Sequence, residues 1–405
     1  MVSFVSRLKG SAKNFRLPFL SPSSFGRRAP MMSAAMSTVS SRNIKSPPEK
    51  PLTSSKPVTL PWLMLPPKAG DDTMLCKFYD LVEDRVESLR VELPYPDDIV
   101  LVGSSHGWLA FFDRRTKYVY LSNPFAGRLL KLPSIDTLLD TDMKLGCGSG
   151  TISKLILSSS AAREDCIAMI SFGPGHKPAF CYPISIWGRS DRWDSLNDDP
   201  LYPDGLPKYT DARTYEDLVY RSSQKIFSFI TEFQIAHDCG EPLFPSRLEE
   251  YALHSDFSFM IGRHQLEAFD IPYLLFNEQC GGLYIMTRFL SAGHKTIGFF
   301  AFKVEYHECG MFQKKLILVD SLDGLAVFVG LNHSFAVSSP AEFGLKPDSI
   351  YFTDAANARV MPPAIHGHDN GVFDYVNKTL SPCPGPYYDD AQTLSTPVWF
   401  TPSPY

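Results

Sequence analysis

From about Val58 onward, the 405-residue chain gathers its apolar and aromatic residues into bursts of four to eight, each ended by Gly, Pro, Asn, Asp or Ser. Bursts of that length with turn residues between them read as short β-strands. The longest apolar stretches, Ile297 to Val304 and Leu325 to Leu331, fall well short of the ~18 residues a membrane span needs. Thirty-three prolines, above the usual ~5% of residues, work against long helices. With 44% hydrophobic residues the chain is also far from a disordered composition. The expectation is a soluble, globular, all-β protein.

The bursts fall into sets. Ile99 to Val102, Trp108 to Phe112, Tyr118 to Ser122 and Arg128 to Leu132 predict a four-stranded antiparallel meander. Lys154 to Ser158, Cys166 to Phe172 and Ala179 to Trp187 follow, then Asp217 to Tyr220, Lys225 to Ile230 and Phe233 to Ala236. Tyr273 to Phe276, Leu283 to Phe289, Ile297 to Val304 and Lys315 to Val319 make a further set. A glycine stands immediately before a strand at Gly107, Gly282, Gly324 and Gly371, the last three spaced by 42 and 47 residues. Four strands per 40 to 50 residues is the period of propeller blades. Helical material is expected only at Ala341 to Leu345 and Pro245 to Leu253. Thr59 to Leu65 and Pro397 to Pro402 are short, aromatic and proline-bounded, and are predicted to share a blade and close the ring.

The formal charge of -5 hides two unlike parts. No acidic residue precedes Glu49, while Arg7, Lys9, Lys13, Arg16, Arg27, Arg28, Arg42 and Lys45 are basic. The remainder carries 31 basic against 44 acidic residues. Wound as a helix, residues 2 to 17 bring Phe4, Val5, Leu8, Ala12 and Phe15 to one side, with Lys9, Lys13 and Arg16 beside them. Residues 1–57 therefore read as an organellar transit peptide and linker, with a plain basic tail as the alternative. Mitochondria are the first expectation, and the Ser/Pro/Ala-rich continuation keeps the chloroplast open. The acidic body disfavours nucleic acid. Eight dispersed cysteines without a C-x-x-C pair read as reduced thiols.

An ordered set of motifs narrows the reading. It comprises Pro61-Trp62-Leu63-Met64-Leu65, Gly103-Ser104-Ser105-His106-Gly107-Trp108-Leu109, Ser122-Asn123-Pro124-Phe125 and Val319-Asp320-Ser321-Leu322. Val327-Phe328-Val329-Gly330, Ser349-Ile350-Tyr351-Phe352-Thr353-Asp354, Asp369-Asn370-Gly371-Val372-Phe373-Asp374 and Trp399-Phe400-Thr401-Pro402-Ser403-Pro404 complete it. Over residues 58–405 this set resembles the plant family built on domain of unknown function 295, of the KIB type. The resemblance implies a kelch-like β-propeller, expected here to have about six four-stranded blades, like that of F-box-associated proteins. Some relatives are implied to be substrate receptors of a ubiquitin ligase. Here the first 58 residues leave no room for a helical F-box, which points to an organellar branch.

Several short motifs carry candidate chemistry. Gly103-Ser104-Ser105-His106-Gly107 fits G-x-S-x-G, with Ser105 as a hydrolase nucleophile, but that elbow needs a helix after the turn and Trp108 to Asp113 is β-favouring. His366-Gly367-His368-Asp369 offers two imidazoles and a carboxylate, with no further ligand of fitting spacing, so a solvated loop is expected. Asn332-His333-Ser334 and Asp320-Ser321-Leu322-Asp323-Gly324 read as polar turns between strands; such turns line a propeller face where partners bind, but turn formation alone is expected to explain them. Gly146-Cys147-Gly148-Ser149-Gly150 lacks the ending of a phosphate loop, and Asn377-Lys378-Thr379 is a formal glycosylation sequon. No catalytic residue, cofactor or metal is assigned. The expected function is that of a monomeric, non-catalytic organellar platform for an unidentified protein partner.

Overall fold

The computed structural model describes most of the chain between Leu60 and Ser403. Outside the description lie residues 1–59, 71–72, 95, 139–151, 174–175, 185–190, 196–214, 232–247, 253–268, 292–294, 307–313, 354–368, 386–395 and 404–405. The leader, Phe233 to Ala236, Gly146 to Gly150 and the two loop imidazoles His366 and His368 therefore lie outside the described residues.

Among the described residues, twenty-five strands form six sheets. Sheet I takes β1 (Trp62–Met64), β2 (Lys68–Ala69), β3 (Thr73–Asp80) and β4 (Arg85–Glu92). Sheet II is the meander β5 (Ile99–Ser105), β6 (Trp108–Asp113), β7 (Tyr118–Asn123) and β8 (Arg128–Ser134). Sheet III holds β9 (Ile152–Leu157), β10 (Ala168–Phe172), β11 (Lys177–Cys181) and β12 (Asp194–Ser195). Sheet IV holds β13 (Tyr215–Arg221), β14 (Ile226–Thr231) and β15 (Leu248–Ala252). Sheet V holds β16 (Phe269–Asn277), β17 (Gly282–Leu290), β18 (Thr296–Tyr306) and β19 (Lys314–Leu318). Sheet VI holds β20 (Ala326–Val329), β21 (Phe335–Val337), β22 (Ser349–Phe352), β23 (Gly371–Asp374) and β24 (Thr379–Pro382). The last strand, β25 (Val398–Phe400), returns to sheet I and pairs antiparallel with β1, Leu63 opposite Trp399.

The expectation of about six four-stranded blades needs correcting. Five sheets have the four or five strands of a full blade, whereas sheet IV has three described strands. Its third strand, β15, runs parallel to β14, which demands a crossover in place of a hairpin. That strand also occupies most of Pro245 to Leu253, where helix was expected. In sheet VI β20 and β22 are likewise parallel, and a short 3-10 helix, Pro340–Phe343, lies in their connection.

The apolar core is divided among the sheet interfaces. One cluster joins sheets I and II around Phe78, Phe111 and Phe400, and another joins II and III around Trp108, Leu155 and Trp193. Phe229 and Met169 sit between III and IV, Val219 and Leu274 between IV and V, and Tyr273 and Phe352 between V and VI. Leu63 and Trp399 of sheet I pack on Phe328 and Tyr351 of sheet VI. Each sheet thus buries both faces, and this explains why strands such as β6 and β10 are buried at every position instead of alternating.

A recurring turn organises the hairpins. The last strand residue is Asp80, Asp113, Asn123, Asn277 or Asp374, and its side chain accepts backbone N–H groups two or three residues on. Four residues after it stands a residue in the left-handed region: Asp84, Lys117, Gly127, Gly281 and Lys378. Arg221 and Lys225 bracket a turn of the same length. The repeat is thus an Asx residue followed at the fourth position by a left-handed one, and Gly282 and Gly371 merely open strands. Asp113 is fully buried and also accepts the Thr116 hydroxyl at 2.5 Å. Asp113→Ala is expected to cost about 2 to 3 kcal/mol in urea unfolding. Lys225→Gly, which relieves a left-handed backbone, is expected to be neutral or stabilising by up to about 1 kcal/mol.

Candidate functional site

The first strands of sheets II to V are packed in succession, β5 on β9, β9 on β13 and β13 on β16, while β16 meets β21 and β25 meets β5. At the middle of this arrangement charged and polar groups replace the apolar packing. Lys154 of β9 and Asp217 of β13 form an ion pair at 2.6 Å, with side-chain exposures of 8% and 1%. The second carboxylate oxygen of Asp217 accepts the Leu274 N–H of β16 at 2.7 Å. The Lys154 ammonium also reaches the Gly330 carbonyl, just past β20, at 3.4 Å. One buried pair thereby links sheets III, IV, V and VI.

Residues 330–334 cross this middle. Sheet VI neighbours V and I, yet the segment that follows β20 touches II, III and IV. Asn332 bridges to Ser104 of β5, and the His333 N–H donates to the Ser104 carbonyl at 2.8 Å. The Tyr220 N–H of β13 donates to His333 Nε2 at 3.2 Å. Asn332 Nδ2 donates to the carbonyls of Phe328 and His333, which fixes the turn. The His106 ring lies 5.7 Å from that of His333. Burial holds both imidazoles below their ordinary range, and for His333 the neighbouring His106 and Lys154 add to the effect. With Asn332 and Ser334 buried and His333 half-buried, this segment is thus a mostly internal plug and more than a simple turn between strands.

Ser105 is placed at the edge of this region with a structural role. The residue is 5% exposed, and its hydroxyl donates to the Leu157 carbonyl at 3.4 Å and accepts the Leu157 N–H at 3.2 Å. The strand β6 follows the turn, so no helix N-terminus faces the hydroxyl. The three residues of the pattern serve the fold. A Cβ on Gly103 would stand 2.2 Å from the Leu155 carbonyl oxygen, so glycine lets β9 approach. His106 and Gly107 both have positive φ in a two-residue hairpin, and a Cβ on Gly107 would meet Ser403.

The other sequence candidates are placed apart. Asp369 accepts from Arg288 Nη2 at 2.5 Å and from Thr296 N and Oγ1. Arg288, almost wholly buried, also donates to Tyr273 OH and the Thr353 carbonyl and stacks over Phe352. One guanidinium therefore pins the chain on both sides of residues 354–368. The Asp320 to Gly324 turn is held by Asp348 Oδ1, which accepts from Ser321 Oγ, Leu322 N and Gly324 N. Asn377 Nδ2 donates to Asp374 at 2.8 Å, so the sequon side chain serves its turn. Among the described residues no group of three or more His, Cys, Asp and Glu side chains could hold a metal ion. Described Cys76, Cys166, Cys181, Cys280 and Cys383 are free, and burial pushes the Cys76 thiol up to about 12. No helix among the described residues is long and apolar enough to cross a membrane.

Lys154, Asp217 and Arg288 are the residues that sequence reasoning missed. Their signal was a charge within an otherwise apolar strand, which marks either an exposed face or a buried pair.

The family model described as KIB1-4 beta-propeller matches residues 78–374. The chain belongs to the KIB1-4 beta-propeller family. The match runs from β3 to β23 and so includes the Lys154–Asp217 pair, the plug and the Arg288 clamp. No curated protein matches the chain.

Removing one member of the central pair strands the other in a buried site. Asp217→Ala is expected to destabilise by about 3 to 5 kcal/mol, whereas Lys154→Met combined with Asp217→Leu recovers most of the loss. Urea unfolding of the single and double variants checks this.

Proposed function

We propose that the chain is a non-catalytic protein-interaction platform of an organelle. The observation that carries this reading is the filled middle: residues 330–334 occupy the place where a propeller enzyme would hold a substrate. What remains for recognition is the outer loops on a rigid set of sheets, the arrangement in which loops bind partners. The hydroxyl of Ser105 is committed to the Leu157 backbone, which supports the same reading. We further propose that the sheets belong to one kelch-like propeller, with five full blades, and that it is closed where β25 pairs with β1. Residues 1–57 would direct the chain to mitochondria, with the chloroplast as the second destination; their eight basic and no acidic residues before Glu49 support import.

Three measurements test the proposal. Residues 1–58 fused to a fluorescent reporter are expected to reach mitochondria. A nuclear and cytosolic signal would overturn the organellar reading and favour a ubiquitin-ligase receptor instead. Proximity labelling with the full chain, followed by reciprocal purification, is expected to return a stable protein partner that survives Ser105→Ala. Hydrolysis of a small ester by the purified chain, lost on Ser105→Ala, would contradict a non-catalytic role.

A further inference from the structure

The segment that fills the middle is also poorly satisfied. Ten buried side-chain atoms among the described residues lack a hydrogen-bond partner, and four of them lie in or against it. These are Asn332 Oδ1, Ser334 Oγ, Thr353 Oγ1 and His106 Nε2. Thr353 Oγ1 stands 2.1 Å from where a Cβ on Gly330 would be, and the His106 ring faces His333. Buried polar atoms left unpaired each cost stability, so the plug keeps its place against a standing penalty that its existing bonds must offset. One of those links depends on an unprotonated nitrogen: His333 Nε2 accepts the Tyr220 N–H.

We propose that residues 330–334 form an acid-releasable plug, in which protonation of His333 breaks its bond to β13 and opens the middle of the ring. A proton on Nε2 turns that atom into a donor and sets it against the Tyr220 N–H. The neighbours give the new charge little support. From the turn after β5 comes the His106 imidazole, from β9 the Lys154 ammonium, and from β13 the Tyr220 N–H. Asp217, also on β13, is engaged by Lys154 and the Leu274 N–H. Glu278, in the turn after β16, acts on His106 and accepts the Ser222 N–H.

The sign follows from the two states. In place, both imidazoles resist protonation below the ordinary value of 6.5. Released into water, each takes up a proton near that ordinary value, so opening gains as pH falls below 6.5 and gains nothing above it. At pH 5.5 each proton taken up favours opening by about tenfold.

Hydrogen exchange of the full chain at pH 7.5 and 5.5, corrected for intrinsic rates, tests the plug. Peptides covering Tyr220 and residues 330–337 are expected to lose about tenfold or more protection at pH 5.5, while β6 and β7 keep theirs. His333→Gln, whose amide oxygen can accept the Tyr220 N–H without titrating, is expected to remove that pH dependence. Equal protection at both pH values, or the same loss in His333→Gln, would overturn the proposal. Ring NMR of labelled histidine gives a check without a variant. His333 and His106 are expected to titrate below the exposed histidines, and two ordinary titrations near 6.5 would count against the plug.

Discussion

The ion pair between Lys154 and Asp217 is the constraint on which the middle of the structure depends. Neighbouring sheets meet chiefly through separate apolar interfaces, each shared by two of them, with local bonds such as Ser105 to Leu157 and Arg288 to the Thr353 carbonyl at their edges. Apolar packing fixes how one sheet lies on the next but has no means of joining sheets that are not neighbours. A charge pair with spare hydrogen-bonding capacity does. Lys154 reaches Asp217 and Gly330, and Asp217 reaches Leu274, so four sheets share one electrostatic centre. Taking two charges out of water is costly, and such a pair contributes more to register and specificity than to net stability. Its effect here is to fix the path of residues 330–334, which then meet sheets II and IV as well.

The elements legible in the sequence are those joined by hairpins. Sheets II and V are consecutive antiparallel strands, and Trp108–Asp113 or Gly282–Leu290 announced themselves by apolar runs ended by turn residues. Sheet VI was harder because β20 pairs parallel with β22, and β21 folds back beside it. Strand β15 was misread as helix because a parallel partner supplied across a crossover leaves no turn signal beside it. The glycine repeat was only half of the true signal. Asp or Asn at a strand end does the capping, and the left-handed position four residues later is filled by Lys or Asp as readily as by Gly.

The site was less legible, for a physical reason. Lys154 and Asp217 are 63 residues apart, and Tyr220 and His333 are 113 apart, so no local pattern brings them together. Ser105 illustrates the reverse error that a motif invites. Gly103, Ser105 and Gly107 match a nucleophile elbow letter by letter, yet each is explained by close packing, a backbone bond or a positive φ. The same residue types at the same spacing satisfy either chemistry, and what decides is the element that follows the turn. Membership of the KIB1-4 beta-propeller family agrees with the fold and leaves the partner to experiment.

The central claim is that one buried pair holds four sheets in common. Hydrogen exchange of Asp217→Asn, compared with the wild-type chain at pH 7.5, tests it most directly. The account predicts that Leu274 on β16, residues 330–334 and the strands β9 and β13 lose protection together, while β7 and β8 of sheet II are unchanged. A loss confined to β13, with β16 and residues 330–334 as protected as in the wild type, would contradict it.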